Sequence, residues 1–288
     1  MTGDLRPLGA RNGLPNNMCV LTVEILVKLN FVRLILALGV CSLLPAVVHA
    51  DSINVSVTIQ NLAPTNSISF APLRLAFNKG TYDSFNNGQV ATAPIISIAE
   101  GGSGSAWFPA FAAADPTATL GSVGGALLPG QSATNSFIVD SAVNPFFTFG
   151  AMVIPSNDFF IGNDSPTRFR LLDNSGNLLI NSITQKGRDI WDAGSEAFDP
   201  LNAAFLVIGN NSLRTPQNGV VNFNFTELSG FNGLTTAAGY TFNSQLTADT
   251  DIYRITFAAS PVAVPAPPSV ILMGIGFMGF LARLRFRK

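Results

Sequence analysis

A near-continuous apolar run from Phe146 to Ile154 ends abruptly at Pro155-Ser156-Asn157-Asp158. A strand covered on both faces has no reason to alternate, and proline has no amide with which to extend a ladder. The pattern therefore predicts a central strand followed by an acidic turn. Ile53, Val55, Val57 and Ile59 instead alternate with Asn54, Ser56, Thr58 and Gln60, the period of a half-buried strand. Ile68 to Phe77 predicts a second strand in hairpin with the first, with Pro72 marking an edge or a bulge. Further strands are expected at Ile95–Ile98, Ser136–Val139, Arg168–Leu172, Ala203–Ile208, Val220–Phe225 and Asp251–Phe257. Turn chemistry such as Asn174-Ser175-Gly176-Asn177 and Pro216-Gln217-Asn218-Gly219 punctuates them. Trp107 to Ala114 is the one helical piece expected, and no long amphipathic helix interrupts the pattern. The fold class that follows is all-β, an antiparallel β-sandwich.

The two ends break this pattern. Lys28 and Arg33 precede the apolar stretch Leu34–Leu44, then Pro45 and Val48-His49-Ala50. A basic flank, a short apolar core and a small residue before Asp51 predict a secretory signal peptide, and the core is shorter than the ~20 residues of a membrane span. At the other end, Val264-Pro265-Ala266-Pro267-Pro268 leads into the apolar stretch Ser269–Ala282 and the basic Arg283-Leu284-Arg285-Phe286-Arg287-Lys288. This tripartite tail resembles a bacterial PEP-CTERM sorting signal, with Ala266 where that family usually has Glu. The resemblance implies a transmembrane helix held in the inner membrane with its basic end cytoplasmic, and an exosortase as processing partner. The expected organisation is 1–50 lead-in and signal peptide, 51–260 sandwich domain, and 261–288 linker, transmembrane segment and basic tail.

Composition sharpens the picture once the ends are set aside. Between Asp51 and Val264 there are 15 acidic against 8 basic residues, a net charge of −7. Arg168, Arg170, Lys186 and Arg188 form only a thin basic scatter, so nucleic acid is excluded as a partner. Cys19, Cys41 and His49 all precede Asp51. The body beyond that point therefore has no thiol nucleophile, no histidine triad, no His-ligated zinc and no disulfide, and oxygen chemistry remains.

That chemistry concentrates in two turns. Asp158 ends the first; the second is Asp189-Ile190-Trp191-Asp192-Ala193-Gly194-Ser195-Glu196, with acids four positions apart around Ala-Gly. Asp158, Asp192 and Glu196 together suit a hard cation such as Ca²⁺, which takes several carboxylate and carbonyl oxygens from irregular loops. By spacing alone, two Asx-type turns account for the same residues more simply. A third reading pairs Asp158 with Asp192 or Asp189 as a glycosidase acid and base, but the body offers only Trp107 and Trp191 as tryptophan platforms for sugar. Trp191 is expected in the core.

Pro155-Ser156-Asn157-Asp158-Phe159-Phe160-Ile161-Gly162 and Trp191-Asp192-Ala193-Gly194-Ser195-Glu196 resemble the paired signature of the spondin domain. Weaker echoes are Pro72–Phe77, Ala99-Glu100-Gly101-Gly102 and Leu128–Ala133, so the resemblance covers about residues 52 to 258. It implies a C2-like sandwich with a calcium site at one rim, ligated at the positions of Asp158, Asp192 and Glu196, where Glu196 extends the family's acid by one methylene. Backbone carbonyls near Ala193 complete such a shell, and Asp140 is the nearest counterpart of a further upstream acid. The expected protein is not an enzyme. It is a calcium-binding adhesion or interaction module, exported to the cell surface or extracellular matrix or anchored facing the periplasm, with extracellular polysaccharide or a surface protein of a biofilm as partner. The alternatives are a secreted polysaccharide-acting enzyme and a purely structural surface protein.

Overall fold

Apolar residues fall on both faces of the strand Phe146–Ile154 because it is covered twice, once by a second sheet and once by a helix over Gly150 together with loop residues around Ala71 and Ala204. The computed structural model describes residues 52–262, all within a unit spanning Ala50–Ala263. The signal peptide and the tail expected from the sequence lie outside the described residues. Among the described residues no helix is long and apolar enough to cross a membrane.

The strands are β1 (Ser52–Asn61), β2 (Ser69–Phe70), β3 (Leu73–Asn78), β4 (Thr119–Val123), β5 (Ser132–Asp140), β6 (Phe146–Ile154), β7 (Phe159–Gly162), β8 (Ser182–Lys186), β9 (Trp191–Asp192), β10 (Asn222–Phe223) and β11 (Asp251–Pro261). They form two antiparallel sheets. One runs β5-β1-β11-β8; the other runs β10-β9-β7-β6-β3-β4, with β2 paired to β6 off this path. The protein is thus mostly β, with the architecture of an all-β sandwich.

Between the sheets, Val55, Val57 and Ile59 of β1 and Ile255 and Phe257 of β11 meet Leu75 and Phe77 of β3 and Phe147, Phe149 and Ala151 of β6, all buried. Phe147 stands edge-on to Phe257 at 4.9 Å and to Phe77 at 5.4 Å, binding the two sheets through aromatic contacts. Full burial of each such side chain stabilises the fold by about 1.5–3 kcal/mol.

The outer face of the larger sheet is covered by α1 (Ala93–Ala99) and α2 (Trp107–Ala114). Ile98 of α1, Trp107 and Phe111 of α2, and Phe160 and Trp191 of the sheet share this second core. Close approach of α1 depends on Gly150 of β6, where an added Cβ would lie 3.2 Å from Ile98 Cδ1. Here the strand expected at Ile95–Ile98 is corrected to a helix. Pro94 occupies its first turn, and Ile95, Ile98 and Ala99 bury one helical face at spacings of three and four.

Other expectations also change. Ile68–Phe77 is broken at Ala71-Pro72 into β2 and β3, and neither forms a hairpin with β1, which pairs β5 and β11. Arg168–Leu172 and Ala203–Ile208 form no strand: they make isolated bridges, Phe146 to Arg170 and Ser156 to Ala204, and pack Leu171, Leu172, Ala203 and Leu206 into the core. Val220–Phe225 contracts to β10. Residues 193 to 250 are thereby mostly loop.

Candidate metal centre

Two short strands bring the acidic turns together. In the β7-β9 ladder Phe159 faces Asp192 and Phe160 faces Trp191, so Asp158 and Ala193 leave the sheet side by side. The Ala193 amide donates to the Asp158 carbonyl at 3.2 Å. Trp191 anchors β9: its Nε1 donates to the Gly162 carbonyl at 3.0 Å and its ring stacks on Phe223. Only 3% exposed, it is a core residue as expected.

Beyond β9 the chain turns through Gly194, whose φ of +64° is a left-handed conformation that glycine adopts without strain. An added Cβ would meet the Val220 amide nitrogen at 2.7 Å. The Gly194 amide donates to Asp192 Oδ1 at 2.7 Å, and the amides of Ser195 and Glu196 donate to Asp158 Oδ2 at 2.8 and 2.9 Å. The Ser195 hydroxyl adds a third bond to that oxygen at 3.2 Å. One carboxylate oxygen of the first turn thus shapes the second turn.

Asp158, Asp192 and Glu196 are all buried. Burial and the neighbouring Asp192 charge push the Asp158 carboxyl up to about 7, against the hydrogen bonds from Glu196 and Ser195. Burial likewise raises Asp192, opposed by the Gly194 amide and the Asn224 side chain. For Glu196 burial again dominates and raises the carboxyl, while the Arg214 charge and the Asn157 amide oppose it. Desolvated carboxylates at close quarters store repulsion that a proton or a cation would relieve.

A cavity of about 10 Å³ lies among Ser156, Asn157, Asp158, Phe159, Glu196, Phe198, Glu227 and Phe231, with room for roughly one water-sized sphere. Glu196 Oε1 accepts the Asn157 amide at 3.4 Å, whereas its buried Oε2 has no hydrogen-bond partner and only the Arg214 Nε at 3.6 Å. Arg214 gives its closer contact, 2.7 Å, to Glu100.

The structure therefore brings together all three acids that the sequence singled out, but places only Asp158 and Glu196 on the cavity wall. Asp192 faces Asn224, whose Nδ2 donates to its Oδ2 at 3.2 Å. Among the described residues no three acidic side chains close on a single ion position as they stand. The donor set nevertheless fits a hard cation in kind: it is all oxygen, anionic and buried, and includes one carboxylate oxygen that accepts no hydrogen bond. Asp140 does not join it, since its Oδ1 caps its own turn through the Ala142 and Val143 amides. Asp189 likewise accepts the Lys186 amide at 2.8 Å.

Sequence reasoning missed Glu227 and Arg214. Both come from irregular segments remote from the two turns. The one available signal was Asn224-Phe225-Thr226-Glu227, an Asx turn leading into an acid, in which the Thr226 amide donates to Asn224 Oδ1 at 3.2 Å. No family model matches the chain, and no curated protein matches it.

Proposed function

We propose that this chain is an exported bacterial surface protein whose sandwich is a C2-like spondin module that holds Ca²⁺ at the rim formed by Asp158, Asp192 and Glu196. It acts as an adhesion or interaction module toward extracellular polysaccharide or another surface protein, and not as an enzyme. The observation that carries the reading is the buried Oε2 of Glu196, which accepts no hydrogen bond and meets only the Arg214 Nε at 3.6 Å, in a residue that lines the small cavity shared with Asp158. A carboxylate in that position costs free energy unless a proton or a cation compensates it. When bound, calcium would supply positive charge that ties the two turns together.

The ends of the sequence give the cellular side of the proposal. The signal-like segment before Asp51 directs export, and the tail after Val264 holds the chain in the inner membrane until an exosortase acts on it. The body, with its net charge of −7, has the composition of a calcium-responsive surface protein rather than a nucleic-acid binder.

The test uses the protein recovered from the surface of the producing cell. Mass spectrometry should find a start near Asp51 and loss of the tail, and the protein should bind matrix polysaccharide or a surface protein saturably, with calcium and without turnover. Intact protein recovered in the cytoplasm from Met1 would end the export reading, and turnover of polysaccharide that disappears in Asp158→Ala would replace the adhesion reading with the enzyme.

A further inference from the structure

At one side of the sandwich the edge strand β8 comes against β7, β9 and β10 of the other sheet, and a cavity of about 20 Å³ opens between them. Its aromatic wall has two layers. Phe223 of β10 lies on Trp191 of β9 with ring centroids 3.7 Å apart, and Trp191 is itself fixed by its bond to the Gly162 carbonyl. Phe223 is nevertheless 52% exposed, so the face turned away from Trp191 is open to solvent. A phenylalanine stacked on a buried indole is a flat apolar platform that loses little side-chain freedom when something lies on it. The polar wall comes from other segments. Gln185 of β8 is only 7% exposed, yet among the described residues its amide makes one hydrogen bond, from Nε2 to the Thr184 carbonyl at a long 3.5 Å. A primary amide has two donors and an acceptor oxygen, so most of this buried group's capacity is unused. Asp189 also lines the cavity, with Oδ2 accepting the Lys186 amide at 2.8 Å, as does Arg168, whose guanidinium carbon lies 5.5 Å from the Phe169 ring centroid.

We propose that this cavity and the exposed face of Phe223 form a carbohydrate-binding subsite for one residue of an uncharged polysaccharide. The sugar ring lies with its C–H face on Phe223, and one of its hydroxyl groups enters the cavity, whose volume suits a group the size of a water molecule rather than a ring. There Gln185 offers both donor and acceptor, Asp189 an acceptor and Arg168 donors, which matches a hydroxyl that donates and accepts at once. The opposed charges of Asp189 and Arg168 decide against a charged ligand, because an anion meets the carboxylate and a cation meets the guanidinium. None of the residues around this cavity lines the one beside Asp158 and Glu196, so the two sites are separate. The inference rests on the polysaccharide half of the function proposed above and gives that partner a place on the molecule.

The experiment is calorimetric glycan binding by the purified full chain, in a detergent without a sugar headgroup and with calcium present throughout. The probes are dextran, mixed-linkage β-glucan, galactomannan and matrix polysaccharide extracted from the producing cell, with alginate as the anionic comparison. Wild type should bind at least one neutral probe saturably, Phe223→Ala should bind it more weakly by about tenfold or more, and Phe223→Trp should stay close to wild type. Gln185→Met removes the amide at nearly constant volume and should weaken binding by about fivefold or more without lowering the melting temperature, since that amide is under-bonded in the free protein. Wild-type binding that persists unchanged in Phe223→Ala and Gln185→Met would put the polysaccharide elsewhere, overturning the subsite while leaving the proposed function in place. Weaker binding that Phe223→Trp does not restore, with a lower melting temperature in Gln185→Met, would make both residues structural and overturn their role in recognition. Preference for alginate over every neutral probe would overturn the uncharged ligand. A wild type that binds no polysaccharide would overturn the subsite and the polysaccharide half of the function together.

Discussion

Asp158 and Glu196 are joined through the backbone: the Glu196 amide donates to Asp158 Oδ2 at 2.9 Å, beside the Ser195 amide at 2.8 Å. A carboxylate at the end of one strand thus fixes the loop that carries the next acid. Asp158→Ala should leave two inward-facing amides without an acceptor and cost about 2–4 kcal/mol even in chelator. Urea unfolding measures it, and a loss within experimental error would mean that the second turn holds its shape unaided.

Gly194 makes the same turn sterically possible. Gly194→Ala forces a side chain into a left-handed conformation and against the Val220 amide, with the added Cβ 2.7 Å from its nitrogen. Backbone cannot step aside as a side chain can. The expected cost is at least about 1–3 kcal/mol, with Trp191 fluorescence shifted by the displaced turn. A variant with unchanged melting and emission would contradict the close approach.

Tyr253 offers a prediction of the opposite sign. It is fully buried, packs edge-on against Phe70 at 4.6 Å, and its hydroxyl has no hydrogen-bond partner. Burial raises its phenol well above the ordinary value. Tyr253→Phe keeps the ring and removes the unpaired group, so stability should be unchanged or rise by about 1 kcal/mol. A loss of more than about 1 kcal/mol in thermal unfolding would reveal a partner, such as a buried water, for that hydroxyl.

Acid stability should depend on Asp115, which closes α2 and is 1% exposed. Burial alone would raise its carboxyl, but the amides of Lys79 and Thr117, the Thr117 hydroxyl and the Lys79 charge outweigh it and hold the carboxyl below its ordinary value of 3.8. A folded-state value below the unfolded one means that the contribution is complete above the unfolded value and fades as pH falls through the folded one. Wild type should therefore lose stability more steeply than Asp115→Asn below pH about 4, and parallel profiles would show that the carboxylate is not compensated as described.

The sequence made legible those parts whose pattern is long and whose partners are regular. The alternation of Ile53 to Ile59 marked β1, and the unbroken run Phe146–Ile154 marked β6, covered on both faces. Ile95-Ile96-Ser97-Ile98 was misleading because three apolar positions in four suit a buried strand and a helical face equally, and what separates them is Pro94 in the first turn and packing over Gly150. β4 and β8 were missed because Gly121-Ser122 and Thr184-Gln185 dilute their apolar signal. At the site, Asp158, Asp192 and Glu196 stood out because they sit in short motifs. Arg214 and Glu227 were not, because their nearness to those motifs is a product of loop tertiary structure, which no local spacing encodes.

The central claim is that the acidic rim is completed by calcium, and melting with and without the ion tests it most directly. A cation that binds only the folded state stabilises by RT ln(1 + [L]/Kd), ~2.7 kcal/mol at a hundredfold excess over Kd. The wild-type melting temperature should rise with calcium and rise little with magnesium. Glu196→Gln, which neutralises the buried carboxylate, should lose most of that rise. Equal melting temperatures in calcium and in chelator, for wild type and Glu196→Gln alike, would contradict the claim and leave Asp158, Asp192 and Glu196 as acids that only shape their turns.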